Sequence, residues 1–346
     1  MNSADSQHPK FGPGDEALAA LPTVYRDDLF AGKVVLVSGA GSGIGKAIAF
    51  LFARLGATLA ICGRKADKLE DCAEKLRALS GREVFTYPMT IRDPEQVDAM
   101  LSAVWERLGG VDVLVNNAGG QFAAHAMDFN VKGWNAVIDT NLNGSWYMMQ
   151  GAARRWVEQG RPGNIVNITA AIDRGLTGMA HTTASRAGVI ALSRTLAIEW
   201  AEHGIRLNCI GAGAIESNGF NNYREENVST FYSCNPMKRA GDVQDIAEAV
   251  VYLAAPSGKF ITGEVLNVEG GMLLWGEFWP AGKPDYFKVD QGLPHNPLFR
   301  RQRAPTGLFS SSSGTTSCTT SAACISGCRS GATTSTPTAC STAACP

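Results

Sequence analysis

The chain has 346 residues, which allows one or two domains, since domains average about 150 residues but a single α/β domain can run to about 250. Hydrophobic residues make up 45% of it and charged residues 18%, as in an ordinary globular protein. The 31 basic and 32 acidic side chains leave a net charge of -1, so charge gives no case for nucleic acid or an anionic membrane as the main partner.

The N-terminal extension, residues 1–31, carries charged side chains early and has no apolar run of signal-peptide length. Elsewhere no stretch approaches the run of about 18 apolar residues that marks a transmembrane helix. We therefore expect a cytoplasmic protein without a membrane partner.

Beyond the extension, short apolar runs rich in β-branched residues alternate with segments of helix length. This alternation predicts an α/β fold in which a parallel sheet is covered by helices on both faces. The runs predicted as strands are 34–37, 57–62, 84–87, 111–115, 164–168, 205–210 and 265–268.

A glycine-rich turn follows the first predicted strand and precedes a helical run. Gly39, Gly43 and Gly45 permit a tight turn and a close approach of the backbone to a pyrophosphate at the positive end of the helix. Ser42 and Ile44 belong to the same turn. Because the strand and the helix are both present around it, the turn predicts a dinucleotide site.

The end of the second predicted strand indicates which dinucleotide binds. An NAD site places an acidic side chain there to hold the ribose hydroxyls, whereas this chain has Arg64 and Lys65. Two cations suit the 2′-phosphate of NADP, so we predict NADP(H) as the cofactor. NAD(H) stays open as an alternative because Asp67 lies close by.

The regular alternation ends near residue 273. Residues 273–309 form an aromatic and proline-containing extension that either wraps over a neighbouring surface or is loosely ordered. Residues 310–346 are a low-complexity tail of Ser, Thr and Cys, which we predict to be disordered or non-native. The tail cysteines lack the paired spacing of a zinc site, so we expect no metal.

Further motifs follow the glycine-rich turn in chain order. Asn116-Asn117-Ala118-Gly119 comes after the fourth predicted strand, Asn141 lies in a helical stretch, and Asn208-Cys209-Ile210-Gly211-Ala212-Gly213 ends the sixth strand. With these motifs, the chain resembles the short-chain dehydrogenase/reductase family over about residues 32–271.

The resemblance implies a single Rossmann-type doubly wound domain with a seven-stranded parallel sheet, spanning residues 32–272. It also implies which residues bind the cofactor: Asn117, Ala118 and Gly119 on the adenine side, and Gly213, Ile215 and Ser217 toward the nicotinamide. The helices near 131–158 and 182–203 are apolar on more than one face, so we expect a homodimer or homotetramer.

The chain departs from the family at its catalytic signature, Tyr-x3-Lys. Thr182 takes the tyrosine position and Arg186 the lysine position, while Thr169 or Ala170 stands where a serine is usual. Of the usual four residues, only Asn141 is unchanged, and it would keep its helix irregular enough to hold a water.

This departure predicts a different chemistry from ketone reduction. A threonine hydroxyl is too weak an acid to protonate an alkoxide, and arginine keeps its proton at neutral pH. Both still donate hydrogen bonds, which is what reduction of a double bond conjugated to a thioester mainly needs at the thioester oxygen. Thr182 or Thr169 would donate to that oxygen, and Arg186 would contact the nicotinamide ribose.

Within the family, this pattern resembles the peroxisomal enoyl-CoA and dienoyl-CoA reductases, most clearly in segments 116–122, 132–137, 184–189 and 196–200. The resemblance implies NADPH-dependent reduction of the 2,3 double bond of trans-2-enoyl-CoA, with an acyl-CoA as the small-molecule partner. Two alternatives stay open: an NAD(P)-dependent dehydrogenase of terpenoid or steroid alcohols, and a non-catalytic NADP-binding protein.

The polar stretch 217–235 follows the sixth predicted strand and is interpreted as a substrate lid. Its Tyr223 and Tyr232 either serve as a substitute acid or only cover the substrate. His181 precedes the altered signature, and because it points about 100° away from residue 182 on a helix, we predict a packing role for it.

Overall fold

The computed structural model describes residues 10–223 and 225–274. Residues 1–9, the predicted extension 273–309 from residue 275 onwards, and the predicted tail 310–346 lie outside the described residues. The domain boundaries at 31, 272 and 309 therefore stay predictions.

Parallel pairing organises the strands of the described residues. Seven of them form one sheet in the order β3-β2-β1-β4-β5-β6-β9, and the two short strands β7 and β8 pair with each other. The strands are β1 Val34–Ser38, β2 Thr58–Gly63, β3 Val84–Pro88, β4 Val113–Asn116, β5 Gly163–Ala170, β6 Ile205–Ala212, β7 Ile215–Glu216, β8 Gly241–Asp242 and β9 Val265–Val268.

Helices connect successive strands of the sheet. A π-helical turn, Asp139–Asn143, interrupts the long helical segment between β4 and β5. A 3₁₀ turn, Asn218–Asn222, begins the segment after β7. The α-helices are α1 Asp15–Ala20, α2 Gly43–Arg54, α3 Ala66–Ser80, α4 Pro94–Leu108, α5 Val131–Ile138, α6 Gly144–Glu158, α7 Ala180–Glu199, α8 Glu225–Phe231 and α9 Val243–Ala254.

Both faces of the sheet are buried, as β1 illustrates. Val35 and Val37 pack into one apolar cluster together with Phe50 of α2, whereas Leu36 packs into a second cluster together with Trp156 of α6. Alternate side chains of a strand point to opposite faces, so a strand covered on both sides is apolar throughout.

The structure confirms the predicted fold class, a single α/β domain with a seven-stranded parallel sheet of Rossmann type. Each predicted apolar run overlaps a strand of that sheet. The strand order reverses between β1 and β4, and ligands of doubly wound sheets bind in the crevice beyond the carboxyl ends of the strands at such a switch point. Of the helices in the described part of the chain, none is both long and apolar enough to cross a membrane.

Candidate functional site

The turn from β1 into α2 is shaped by glycines. Gly39 and Gly43 have left-handed backbones, with φ of 71° and 56°, which side chains rarely permit. At Gly45, a Cβ would collide with the Asn117 side chain and lie 2.5 Å from the Gly39 carbonyl oxygen. Ser42 caps α2 without a side-chain bond to the helix amides, so the first N–H groups of α2 are left for an anionic ligand.

The end of β4 is tied to the same turn. Asn117 Nδ2 donates to the carbonyl oxygens of Ser38 and Gly39, at 3.0 and 3.2 Å. In return, Ser38 Oγ accepts from the backbone N–H groups of Asn117 and Ala118, at 3.1 and 3.0 Å. These four bonds hold the two strand ends together where the strand order reverses.

A cavity of about 540 Å³, here called the glycine-loop cavity, runs from this turn to the end of β2. Among its described lining residues are four cations, Arg64, Lys65, Lys68 and Arg92, and no carboxylate. The structure thus adds two cations to the pair predicted from the sequence, and a ligand with several negative charges suits this wall. The predicted cofactor residues that line it are Gly39, Ser42, Gly43, Ile44, Gly45, Arg64, Lys65, Asn117, Ala118, Gly119 and Ser217.

A second cavity of about 420 Å³, here called the Arg186 cavity, shares part of its lining with the first. Gly119 and Ser217 are among the shared residues. The remaining predicted site residues in its lining are Thr169, Arg186, Gly213 and Ile215. The structure therefore brings the predicted nicotinamide-side residues and Arg186 together in one cavity.

Arg186 lies against the turn that follows β4. Its Nη1 donates to the Ile168 carbonyl oxygen at 2.8 Å, and a Cβ on Gly119 would collide with its Nη2. Burial lowers the pKa of the guanidinium to about 10, so Arg186 is still a cation at neutral pH.

Asn141 does not line the Arg186 cavity but supports its wall. It is fully buried and lies in the π-helical turn. Its Oδ1 accepts from the Gly120 N–H at 2.9 Å, and its Nδ2 donates to the Gly120 carbonyl oxygen at 3.0 Å. Asn141 thus holds the backbone beside Arg186 in place.

The two threonines lie differently from what their predicted role requires. Thr169 lines the Arg186 cavity, but its hydroxyl donates to the Ile210 carbonyl oxygen at 2.9 Å. Thr182 is 1% exposed, and its Oγ1 lies 3.2 Å from His181 Nδ1 instead of in the cavity lining. The expected donation from either hydroxyl to a substrate oxygen therefore has no support in this geometry, because one proton is engaged within the sheet and the other hydroxyl is buried away from the cavity.

His181 is packed inside an aromatic cluster. Its ring lies 4.6 Å from the ring of Phe122 and 4.4 Å from that of Phe129, between centroids. Burial lowers the pKa of His181, which favours the neutral imidazole. These contacts agree with the packing role predicted for it.

Some residues that line the Arg186 cavity were not among the predicted site residues. Gln121 and Tyr223 line it, and Gln121 Nε2 donates to the Tyr223 hydroxyl oxygen. Tyr223 lies within the predicted lid, and Gln121 lies within segment 116–122, which resembles the enoyl-CoA reductases, but the contact between them was not predicted. Phe220 and Phe231, which also line this cavity, belong to the predicted lid, whereas Leu176 was not predicted.

A family model described as Enoyl-(Acyl carrier protein) reductase matches residues 39–273. A probable 2,4-dienoyl-CoA reductase of Bacillus subtilis is 34% identical over 249 residues, covering 70% of this chain and 97% of that protein. A glucose 1-dehydrogenase of Gluconobacter oxydans is 36% identical over 262 residues, covering 75% and 98%. The crystal structure of a short chain dehydrogenase from Bacillus anthracis matches with 35% identity and a TM-score of 0.64, covering 70% of this chain and 97% of that one.

Proposed function

The chain belongs to the short-chain dehydrogenase/reductase family of oxidoreductases, and we propose that it uses NADPH to reduce the 2,3 double bond of trans-2-enoyl-CoA thioesters. The observation that carries this proposal is Arg186, a cation in the cavity lining at the position of the family's lysine. Its tyrosine partner is replaced by Thr182, which is buried outside that lining.

The residues present fit NADPH. The uncapped amides at the start of α2 would hold the pyrophosphate, at a turn packed so closely that it leaves no room for a Cβ at Gly45. Arg64 and Lys65 would pair with the 2′-phosphate, and Ile215 and Ser217 would contact the nicotinamide amide. When bound, NADPH supplies the hydride for the reduction.

The chemistry of Arg186 favours a conjugated double bond over a ketone. A ketone needs a proton at the same oxygen on which charge develops, and arginine acts in proteins as a permanent cation that donates hydrogen bonds without giving up a proton. In an enoyl thioester, charge moves to the thioester oxygen while the proton is taken up at carbon. A fixed cation beside that oxygen stabilises the charge without proton transfer.

The names of the relatives support this substrate class without being specific to it. One relative is named for 2,4-dienoyl-CoA and the family model for enoyl thioesters of a carrier protein. Both names point to double bonds conjugated to a thioester, although the relative's name gives (2E)-enoyl-CoA as its product and not as its substrate. The relative named for glucose has a similar sequence identity to this chain, 36% against 34%. The assignment to enoyl-CoA therefore depends on the residues of the cavity.

A substrate panel tests the proposal. The purified full chain is expected to oxidise NADPH with trans-2-butenoyl-CoA and trans-2-decenoyl-CoA and to leave the 3-ketoacyl-CoAs of matched length unchanged. Absorbance at the reduced-nicotinamide band measures the rate, and mass spectrometry of the saturated acyl-CoA identifies the product. Failure with both enoyl-CoAs, or faster turnover of the ketones, contradicts the proposal.

A second candidate function is an NAD(P)-dependent dehydrogenase of terpenoid or steroid alcohols. The Tyr223 hydroxyl favours it, because a tyrosine in the cavity lining accepts the proton of an alcohol once its phenol is ionised. Reduction of NADP⁺ in the presence of such alcohols, without activity on enoyl-CoA, would support this candidate over the first.

Cofactor choice gives a further prediction. Replacing both Arg64 and Lys65 by serine is expected to raise the KM for NADPH by at least about 10- to 100-fold, since losing even one hydrogen bond to a charged group costs about 1.5–3 kcal/mol and 1.4 kcal/mol is a factor of ten. The KM for NADH is expected to stay within about twofold, because NADH has no 2′-phosphate.

Arg82→Ser is the matched control, because Arg82 is exposed and lies outside the lining of the glycine-loop cavity. Steady-state kinetics of the variants with both cofactors measure the effect. An equal rise in KM for NADPH and for NADH would show that the two cations do not bind the 2′-phosphate.

A further inference from the structure

We propose that Tyr223 donates the proton that the α-carbon of the enoyl thioester takes up, and that Gln121 positions its phenol oxygen for this transfer. The inference rests on the proposed function and deepens it, because it assigns the source of the proton. The two residues come from distant parts of the chain: Gln121 follows β4, and Tyr223 lies between the 3₁₀ turn and α8.

The Tyr223 ring is held in an apolar setting at the Arg186 cavity. It packs edge-on against the Phe231 ring at 5.5 Å between centroids, and Phe231 in turn packs on Phe220 at 4.9 Å. All three residues line the cavity. A ring fixed on one side in this way presents its hydroxyl at a defined position in the cavity wall.

Gln121 supplies the contact that suits a proton donor. Its amide N–H donates to the phenol oxygen, and a hydrogen bond of this kind stabilises the phenolate that remains after proton transfer. Burial works the other way and raises the pKa of Tyr223. The phenol is therefore protonated at neutral pH, as a donor must be.

Other hydroxyls in the described part of the cavity lining are poorer donors. The Thr169 proton is engaged with the Ile210 carbonyl oxygen, and Ser217 carries an aliphatic hydroxyl, which is a much weaker acid than a phenol. Arg186 is suited to hold its charge beside the thioester oxygen. A cation and an acid thus line the same cavity. This suits a reaction in which negative charge develops on the thioester oxygen while the proton is taken up at carbon.

The hydride and the proton reach different carbons of the substrate. Hydride addition at the β-carbon reduces the double bond by two electrons and leaves an enolate whose negative charge lies on the thioester oxygen. The enolate electron pair then forms a C–H bond at the α-carbon with the phenol proton, the Tyr223 O–H bond breaks, and the thioester carbonyl is restored. The phenolate regains a proton from water.

The test compares Tyr223→Phe with Tyr232→Phe in the full chain. Tyr232 is the matched control because it belongs to the same lid region, donates to Glu216 Oε2 at 2.9 Å and lies outside the cavity lining. Each protein is assayed with NADPH and trans-2-butenoyl-CoA in H₂O and in D₂O, and NMR of the product locates the α-deuterium. NADPH titration by fluorescence confirms that each variant is folded.

Tyr223→Phe is expected to lower kcat by about 100-fold, within the range for general acid catalysis, while the KM for enoyl-CoA stays within about twofold. The wild-type protein should place deuterium on one face of the α-carbon, and Tyr223→Phe on both faces. Gln121→Leu should lower kcat by about tenfold, the value of one hydrogen bond to a charged group. Tyr232→Phe should behave as the wild type.

An active wild type with an unchanged kcat and single-face deuterium in Tyr223→Phe overturns this inference and leaves the proposed function standing. A rise in KM with unchanged kcat also overturns it, because it assigns Tyr223 to substrate contact alone. If the wild type itself fails with enoyl-CoA, both the proposed function and this inference are wrong.

Discussion

Replacing Arg186 with methionine is expected to lower kcat/KM for enoyl thioesters by about 10²- to 10³-fold, the loss typical of removing one donor from a site that stabilises developing negative charge. Methionine roughly keeps the length of the side chain but removes the charge and the bond to the Ile168 carbonyl oxygen, which spans 2.8 Å in the native protein. Steady-state oxidation of NADPH with trans-2-butenoyl-CoA measures the change. NADPH binding by fluorescence separates loss of the cofactor from loss of the chemical step.

Arg186→Lys sharpens this prediction through its pH dependence. The cation is needed, so activity falls as pH rises through the pKa of the group. Burial lowers the pKa of Arg186 to about 10, and the wild type should keep its rate until the pH approaches that value. An unperturbed lysine already has a pKa of about 10.4, roughly two units or more below arginine, and burial lowers it further. The lysine variant should therefore lose activity at a lower pH than the wild type.

Arg194→Met is the matched control for both variants, because Arg194 lies on the same helix, α7, and is exposed. It should keep the wild-type rate and pH profile. If Arg186→Met keeps most of the activity, the charge at the thioester oxygen is stabilised elsewhere. Arg186 would then no longer support an enoyl thioester as the substrate.

The fold was predictable because its signals are local. Val34 to Val37 read as a continuous apolar run, and the structure buries β1 from both faces, by α2 on one side and by α6 on the other. The pair β7 and β8 was not predicted. Each strand has two residues, too few for any periodicity, and their pairing depends on where the segment between them folds.

The candidate site was predictable only in part, because only some of its residues are positioned by interactions local in the sequence. Backbone constraints within a single turn require the glycines at 39, 43 and 45, so the sequence alone identifies them. The orientation of Thr182 depends instead on how His181 packs against Phe122 and Phe129, which belong to a distant segment of the chain. The bond between Gln121 and Tyr223 joins residues 102 positions apart, and no local pattern encodes it.

Gly45→Ala is expected to lower the affinity for NADPH by about 10- to 100-fold. An added Cβ would collide with Asn117 Nδ2 and lie 2.5 Å from the Gly39 carbonyl oxygen. The second neighbour is backbone and cannot turn aside, so the loop itself has to move. Overpacking of this kind costs about 1–3 kcal/mol, and 1.4 kcal/mol is a factor of ten in binding. The shift also strains the bonds from Asn117 to Ser38 and Gly39, so the melting temperature should fall as well.

Gly175→Ala separates this effect from a general cost of losing a glycine. A Cβ at Gly175 would meet nothing within 4 Å, and its backbone is not left-handed, so this variant should bind NADPH and melt as the wild type does. Fluorescence titration gives the two dissociation constants and calorimetry the two melting temperatures. If Gly45→Ala binds NADPH with wild-type affinity while its melting temperature falls, the loop has moved without loss of the cofactor. Pyrophosphate binding would then not depend on the close packing of Gly45 against Gly39 and Asn117.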